Sequence, residues 1–152
     1  MQFASGIQQT CYERILPWIT EIFGGQAIVC DDLPMFILRR GSAVTMVEVL
    51  PWEEQEAIVR IWARVVSGCS LTPDLMRYLL TKNIELPFGA FGIDEDGDIR
   101  LEHNQLGSTC DKEEIEVATR AIINVADRFD DEILRLGGGS RALDRMREQM
   151  GS

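Results

Sequence analysis

Two residues in the second half of the sequence could take part in acid–base or nucleophilic chemistry. His103 is the one histidine of the chain, and Cys110 lies close to it in sequence. An imidazole and a thiol could form a nucleophile–base pair or line the pocket of a small-molecule sensor. His103 also continues the inward side of a predicted strand, which favours a partly buried structural residue. An enzyme or sensor with a pocket near His103 and Cys110 is therefore an alternative hypothesis, and no catalytic residue is assigned.

The acidic run DEDGD at 94–98 has the composition of a calcium-binding loop. If Gly97 took the sixth position of such a loop, the first position would be Gly92 and the twelfth His103. Neither supplies the carboxylate that these positions require. The flanking residues also have a β pattern, whereas a calcium loop of this type joins two helices. We expect an exposed hairpin turn and no metal site here.

Two further patterns could bind a ligand. Asp127 and Asp131 share one face of a predicted helix, as two oxygen ligands of a hard metal would, but a solvated acidic face is the simpler explanation. The glycines at 137–139 do not open a helix after a strand, and no Gly-Lys-Ser/Thr sequence of a phosphate loop is present. The sequence thus predicts neither a metal nor a cofactor.

The charge of the chain limits its partners. Its 152 residues carry a formal net charge of −10, which repels the phosphates of nucleic acids and anionic membranes. Arg39 and Arg40 are one small basic exception. We therefore expect no nucleic-acid or membrane partner, and the overall acidity favours a basic or amphipathic protein segment.

The cysteines and the hydropathy pattern predict a cytoplasmic location. Cys11, Cys30, Cys69 and Cys110 are scattered and never approach C-x-x-C spacing, which gives little support to a zinc or redox site. We find no signal-peptide pattern at the start and no apolar run near the ~18 residues of a membrane span. Reduced thiols in the cytoplasm are the expected state.

The first half of the chain predicts a helix followed by a meander. Apolar residues at three- and four-residue spacing indicate a helix over about 5 to 23. Three β-rich runs follow at 27–30, 35–40 and 43–50, separated by turn residues. Within the second run, Phe36 and Leu38 point to the opposite face from Met35 and Ile37, so both faces of the sheet are apolar. One face is expected under helices; the other is covered either by a second helical layer or by a partner.

The second half completes an α+β pattern. The predicted elements are helices at 52–67 and 73–82, a hairpin at 88–93 and 99–103, and a long helix capped within 108–111 and ended by the glycines at 137–139. The order is α-β-β-β-α-α-β-β-α, with an antiparallel sheet of about five strands and helices packed on it. We expect one domain over 1–139, and a short helical or partly disordered tail over 140–152.

This order resembles the fold of class I type III secretion chaperones and the related YbjN family. The resemblance to a cyanobacterial and plastid YbjN-like group rests on three segments: LPFGAFGID at 86–94, LGSTCD at 106–111 and ADRFDDE at 126–132. It implies a small acidic homodimer that binds an extended partner polypeptide on an apolar surface, without an enzymatic centre.

We therefore predict a non-enzymatic, chaperone-like or regulatory protein that binds a protein client. The predicted partner-binding residues are Met35, Ile37 and Met46 of the doubly apolar meander, because flexible methionines suit an adaptable binding surface. An obligate homo-oligomer that buries the meander permanently is a further alternative.

Overall fold

The computed structural model describes residues 1–151, except for the side chains of residues 146 and 149; Ser152, the end of the predicted tail, lies outside the described residues. The helices are α1 (Gly6–Phe23), α2 (Pro73–Glu85), α3 (Lys112–Gly137) and α4 (Ala142–Met150), and a 3₁₀ turn covers Gly24–Gln26. The strands are β1 (Ala27–Val29), β2 (Met35–Arg40), β3 (Ala43–Trp52), β4 (Glu56–Ser67), β5 (Ala90–Ile93), β6 (Ile99–Leu106) and β7 (Ser140–Arg141).

The strands form one antiparallel sheet in the order β1-β2-β3-β4-β6-β5, and β7 pairs with β4 beside this path. The predicted α+β class and antiparallel sheet are confirmed. The described residues contain seven strands instead of about five, because β4 and the two-residue β7 were not expected. The order of elements changes accordingly, with a strand where the first of two consecutive helices was predicted.

The helix predicted over 52–67 is wrong, since this segment forms β4 in the middle of the sheet. Half-buried and buried residues alternate from Glu56 to Val65, with Val59 and Ile61 fully buried and Arg60 and Trp62 half-buried. The same apolar residues also occur at helical spacing, so the periodicity fits both structures. The loop before β4 contains none of the usual glycine or asparagine signals of a hairpin; Glu53 adopts the left-handed conformation instead, at φ 51°.

One face of the sheet packs against α1 and α3. Tyr12 of α1 stacks on Phe36 of β2 with ring centroids 5.1 Å apart. Ile15 and Ile19 of α1 and Ile122 of α3 are completely buried in the same core. These contacts belong to the hydrophobic core that stabilises the fold, while α2 lies against α3 and β5.

The long helix α3 begins where the sequence predicts caps. Asp111 accepts a hydrogen bond from the backbone N–H of Glu114, and Glu114 accepts one from the N–H of Asp111, which together form a capping box. The helix ends at Gly137, as its glycines predict. This start fixes the adjoining loop at 107–110 against α1 and β4.

The opposite face of the sheet has little helical cover. Helix α4 contacts β3 and β4, and Val44 at that end is only 2 % exposed although it shares a face with Met46. Beyond this end, the outward side chains of the first strands are half-buried or exposed. The second helical layer considered from the sequence is therefore limited to one end.

Candidate protein-binding surface

The open face of the sheet, the side away from α1 and α3, carries a continuous apolar surface. Its apolar members are Ile28, Met35, Ile37, Met46, Leu50, Ile58, Trp62 and Leu106. Directly opposite pairs join four of them into one row across four strands: Ile28 with Ile37, Ile37 with Met46, and Met46 with Trp62. Ile28 is 45 % exposed, and Leu106 is 41 % exposed. The four residues of the row are half-buried or exposed, so part of each side chain is open to solvent.

The three residues predicted as partner-binding lie together on this face. Ile37 and Met46 are directly opposite each other on β2 and β3, and Met35 lies two residues along β2 on the same side. All three are half-buried, whereas Phe36 and Leu38 between them point into the core and are at most 1 % exposed. The sheet is thus apolar on both faces, as the weak alternation of this meander predicts.

Trp62 is the central residue of the open face that the sequence analysis did not include. The guanidinium carbon of Arg100 lies 3.8 Å from the centre of its ring, in a cation–π contact. The indole Nε1 of Trp62 is buried and has no hydrogen-bond partner among the described residues. The alternation of apolar residues along β4 was the signal that could have identified Trp62, had this segment been interpreted as a strand.

A band of charged side chains lies beside the apolar row. Glu102 forms ion pairs with Arg60 at 3.1 Å and with Arg100 at 3.0 Å. Arg39 and Arg64 share this face by their position in the strands, as do the acids Glu48 and Glu56. The open face is therefore locally rich in arginine, although the chain as a whole is acidic.

A groove of about 730 Å³ continues from this band toward the β5–β6 hairpin. It is lined by Arg64, Arg100, Glu102 and Asn104 of the sheet and by residues 90–96. The groove is open to solvent along its length, which suits a polypeptide segment better than an enclosed small molecule.

A second apolar surface lies on α2. Met76, Leu80 and Ile84 follow one another at four-residue spacing and are 38 %, 68 % and 89 % exposed. We call these three residues the α2 stripe. Arg77 and Glu85 flank the stripe, and a groove of about 710 Å³ runs along it. A helix face this apolar and this exposed is typical of a contact with another protein.

The structure does not bring His103 and Cys110 into one pocket. His103 lines a cavity of about 530 Å³ with Phe88, Glu113 and Val117, and Cys110 is absent from its walls. Burial lowers the pKa of His103, and a hydrogen bond with Gln105 opposes this effect in part. Cys110 is buried and interacts with Cys11 of α1 instead. The geometry therefore gives no support to a Cys–His pair.

The acidic turn at 94–98 uses its carboxylates within the chain. Asp94 Oδ1 accepts hydrogen bonds from the backbone N–H groups of Asp96 and Asp98, at 3.1 and 2.9 Å. Asp98 is only 3 % exposed and pairs with Arg64 at 3.3 Å and Arg145 at 3.4 Å. The expectation of a wholly exposed turn is wrong for Asp98, which ties the hairpin to β4 and α4. Among the described residues, no group of three or more acidic, cysteine or histidine residues could hold a metal ion.

The acidic stretch of α3 is also engaged within the chain. Asp127 and Asp130 both accept a hydrogen bond from the hydroxyl of Ser42, at 2.7 and 2.8 Å, while Asp130 and Asp131 pair with Arg141. These contacts hold the β2–β3 turn and the short strand β7 against α3.

The comparisons with known proteins agree with this geometry. The model of the family TY-Chap1, described as "T3SS (YopN, CesT) and YbjN peptide-binding chaperone 1", matches residues 10–145. The chain belongs to this family. The YbjN and type III secretion chaperone resemblance noted in the sequence is thereby confirmed, and a TY-Chap1 chain is a peptide-binding chaperone module.

The solved structures add a likeness in fold. A chain in the crystal structure of the ExsC–ExsE complex matches this TY-Chap1 chain with a TM-score of 0.61 and 18 % sequence identity, covering 84 % of this chain and 96 % of the other. No curated protein matches the sequence. In the described part of the TY-Chap1 chain, no helix is both long and apolar enough to cross a membrane.

Proposed function

We propose that this protein binds an extended, amphipathic segment of a client protein on the open face of its sheet, without catalysing a reaction. The observation that carries the proposal is the apolar row across four strands, whose side chains are half-buried or exposed in a fold whose family binds peptides. Met35, Ile37 and Met46 remain the proposed contacts, joined by Ile28 and Trp62.

The residue types of this surface support adaptable binding. Met35 and Met46 are flexible and can repack around different apolar side chains. Trp62 offers a large, half-buried ring at the end of the row, and tryptophans of this kind contribute strongly to binding at protein interfaces. The client would gain order as it binds.

The local charge refines the client that the sequence predicts. The overall acidity favours a basic or amphipathic client, but arginines dominate the charged band of the open face. We therefore propose an amphipathic client in which apolar residues meet the row and acidic residues meet Arg60, Arg64 and Arg100. Such complementarity would raise the association rate and fix the register of the segment.

Affinity capture with matched variants tests the open face. We would compare the wild type with Met35→Glu/Met46→Glu and with Val117→Glu, whose valine is exposed on α3 away from this face. A protein retained by the wild type and Val117→Glu, and lost with the double variant at unchanged circular dichroism, supports the proposal. Retention by the double variant would remove these methionines from the site, and a loss with Val117→Glu alone would favour the cavity beside His103.

Peptides from the captured client then test the charge of the segment. We expect a peptide with its native acidic residues to change the fluorescence of Trp62, using a Trp62→Phe variant to identify the signal. Replacing the acidic residues of the peptide by lysine should weaken binding about tenfold or more at low salt. Equal binding of both peptides would contradict the proposed charge preference.

We also propose that two copies associate through the α2 stripe. An antiparallel pair of α2 helices related by a two-fold axis would bury Leu80 and Ile84 of both copies. An axis near Thr81, midway between the two residues in sequence, would place Arg77 of each copy beside Glu85 of the other. Such an arrangement would bring apolar residues together and pair opposite charges.

Charge exchange provides a sharp test of this dimer. Arg77→Glu and Glu85→Arg should each weaken the dimer in analytical ultracentrifugation, because each creates like-charge pairs. The double exchange Arg77→Glu/Glu85→Arg should restore the dimer, since opposite charges meet again. If Leu80→Glu has the same mass in solution as the wild type, the α2 stripe is not the interface.

The cytoplasmic location predicted from the cysteines stays a prediction.

A further inference from the structure

The fold brings together two cysteines that are far apart in the sequence. Cys11 lies on α1 and Cys110 in the loop before α3, and both are buried, at 4 % and 5 % exposure. They meet at Gly107: the Cys110 sulfur lies 3.4 Å from its carbonyl oxygen. A methyl group added to Gly107 would lie 2.8 Å from the Cys11 sulfur. Each thiol affects the pKa of the other, which agrees with their common position at Gly107.

Arg14 adds a positive charge to this pair. Its Nη2 atom lies 3.8 Å from the Cys110 sulfur, and the same guanidinium donates hydrogen bonds to the carbonyl oxygens of Gly107 and Ser108. These carbonyl contacts hold the guanidinium beside Cys110. A fixed cation next to one of two neighbouring thiols favours the thiolate of that cysteine.

The two thiols differ accordingly. The hydrogen bond from Cys11 and the charge of Arg14 lower the pKa of Cys110 to about 7, although burial opposes the shift. The hydrogen bond with Cys110, together with burial, raises the pKa of Cys11. Near neutral pH, Cys110 is the nucleophile of the pair, and Cys11 is a neighbouring thiol that can resolve an oxidised Cys110.

We propose that Cys11 and Cys110 form a reversible, peroxide-responsive dithiol in which Cys110 reacts first and Cys11 closes a disulfide between α1 and the start of α3. This role is independent of client binding on the open face. Cys110 lies directly behind the exposed residues Ser108 and Thr109, so a small opening of this loop admits a hydroperoxide.

The reaction balances with a hydroperoxide as the oxidant. The Cys110 thiolate attacks the terminal peroxide oxygen; an S–O bond forms, the O–O bond breaks, and the leaving oxyanion takes up a proton. The sulfur of Cys11 then attacks the Cys110 sulfenic acid, an S–S bond forms, and hydroxide leaves with the Cys11 proton as water. The two sulfurs together lose two electrons, which the peroxide gains.

The first experiment treats the reduced full-length protein with hydrogen peroxide at pH 7 and alkylates the remaining thiols in denaturant. Peptide mass spectrometry should find the Cys11–Cys110 cross-link, while Cys30 and Cys69 remain alkylated. The cross-link should raise the melting temperature by roughly 5–10 °C, reversibly on reduction, because it closes a long loop of the unfolded chain. Alkylation of both Cys11 and Cys110 at saturating peroxide, or conversion of Cys110 to a sulfinic acid without a cross-link, would overturn the proposal.

Arg14→Gln tests the part played by the guanidinium. Loss of the charge should slow cross-linking about tenfold at pH 7 and much less at pH 9, where the thiol ionises without help. The double variant Cys30→Ser/Cys69→Ser should react like the wild type and serves as the control. A rate in Arg14→Gln that equals the wild-type rate at both pH values would show that Arg14 does not activate Cys110.

Discussion

The side chain of Asn83 makes both hydrogen bonds that a neighbouring strand would make to Phe91. Its amide nitrogen donates to the Phe91 carbonyl at 3.1 Å, and its carbonyl oxygen accepts from the Phe91 N–H at 2.7 Å. Phe91 lies on β5, the strand at one edge of the sheet. Asn83 therefore blocks the middle of this edge against pairing with another chain.

We expect Asn83→Ala to destabilise the protein and to open this edge. The free energy of unfolding should fall by about 1–3 kcal/mol, because the backbone groups of Phe91 lose their partner. Light scattering should also detect more self-association than in the wild type. Lys82→Gln on the same helix is the control and should change stability little, since its ion pair with Glu85 lies at the surface. Equal behaviour of the two variants would contradict an edge-blocking role.

We expect Gly107→Ala to reduce stability through a steric conflict. The added methyl group would lie 2.8 Å from the Cys11 sulfur and 2.9 Å from the carbonyl oxygen of Ala57, which belongs to β4 and cannot move freely. Such overpacking costs about 1–3 kcal/mol in chemical denaturation. Gly25→Ala, which meets nothing within 4 Å, should be close to neutral. A stable Gly107→Ala protein would show that the loop yields easily.

We expect Asp98→Asn to weaken the junction between the 94–98 turn and the rest of the sheet. The Asp98 carboxylate is buried and pairs with Arg64 and Arg145, and these arginines would lose their countercharge. A loss of about 2–3 kcal/mol in the free energy of unfolding is expected, reduced from the value for a fully buried pair because both arginines are partly exposed. Asp96→Asn in the same turn is exposed and serves as the control. If both variants unfold alike, Asp98 does not anchor the hairpin.

We expect the protein to lose stability as the pH falls from about 7 toward 5.5. Burial lowers the pKa of His103 in the folded protein, so the unfolded chain takes up a proton more readily below its ordinary pKa near 6.5. The stabilisation is complete above that pKa and decreases as the pH falls through the folded value. Calorimetry at pH 7.5 and 5.5 should show a smaller decrease in melting temperature for His103→Gln. A pH dependence unchanged by this substitution would assign the effect to other groups.

Much of the fold follows from local sequence patterns. The helix at the start, the meander and the capped long helix carry periodicity, turn residues and caps that act over a few residues. The segment of β4 was misassigned because its apolar residues fit both periods, and its preceding turn relies on Glu53 in a conformation that glycine usually adopts. This segment forms a strand because it pairs with β3 on one side and with β6 on the other. The partner β6 is distant in the chain, so this pairing cannot be inferred from local sequence.

The candidate binding surface likewise depends partly on local sequence patterns and partly on tertiary contacts. The sequence by itself determined that the meander is apolar on both sides, because the alternation of side chains along a strand is local, and this placed Met35 and Ile37 on one face of β2. The pairing of β2 with β3 then put Met46 opposite Ile37 on the same face. Only the tertiary structure decided that helices cover the other face, that Trp62 completes the row, and that Cys11 lies beside Cys110. These relationships join residues far apart in the chain, and they exist only once the strands have paired and α1 and α3 have packed on the sheet.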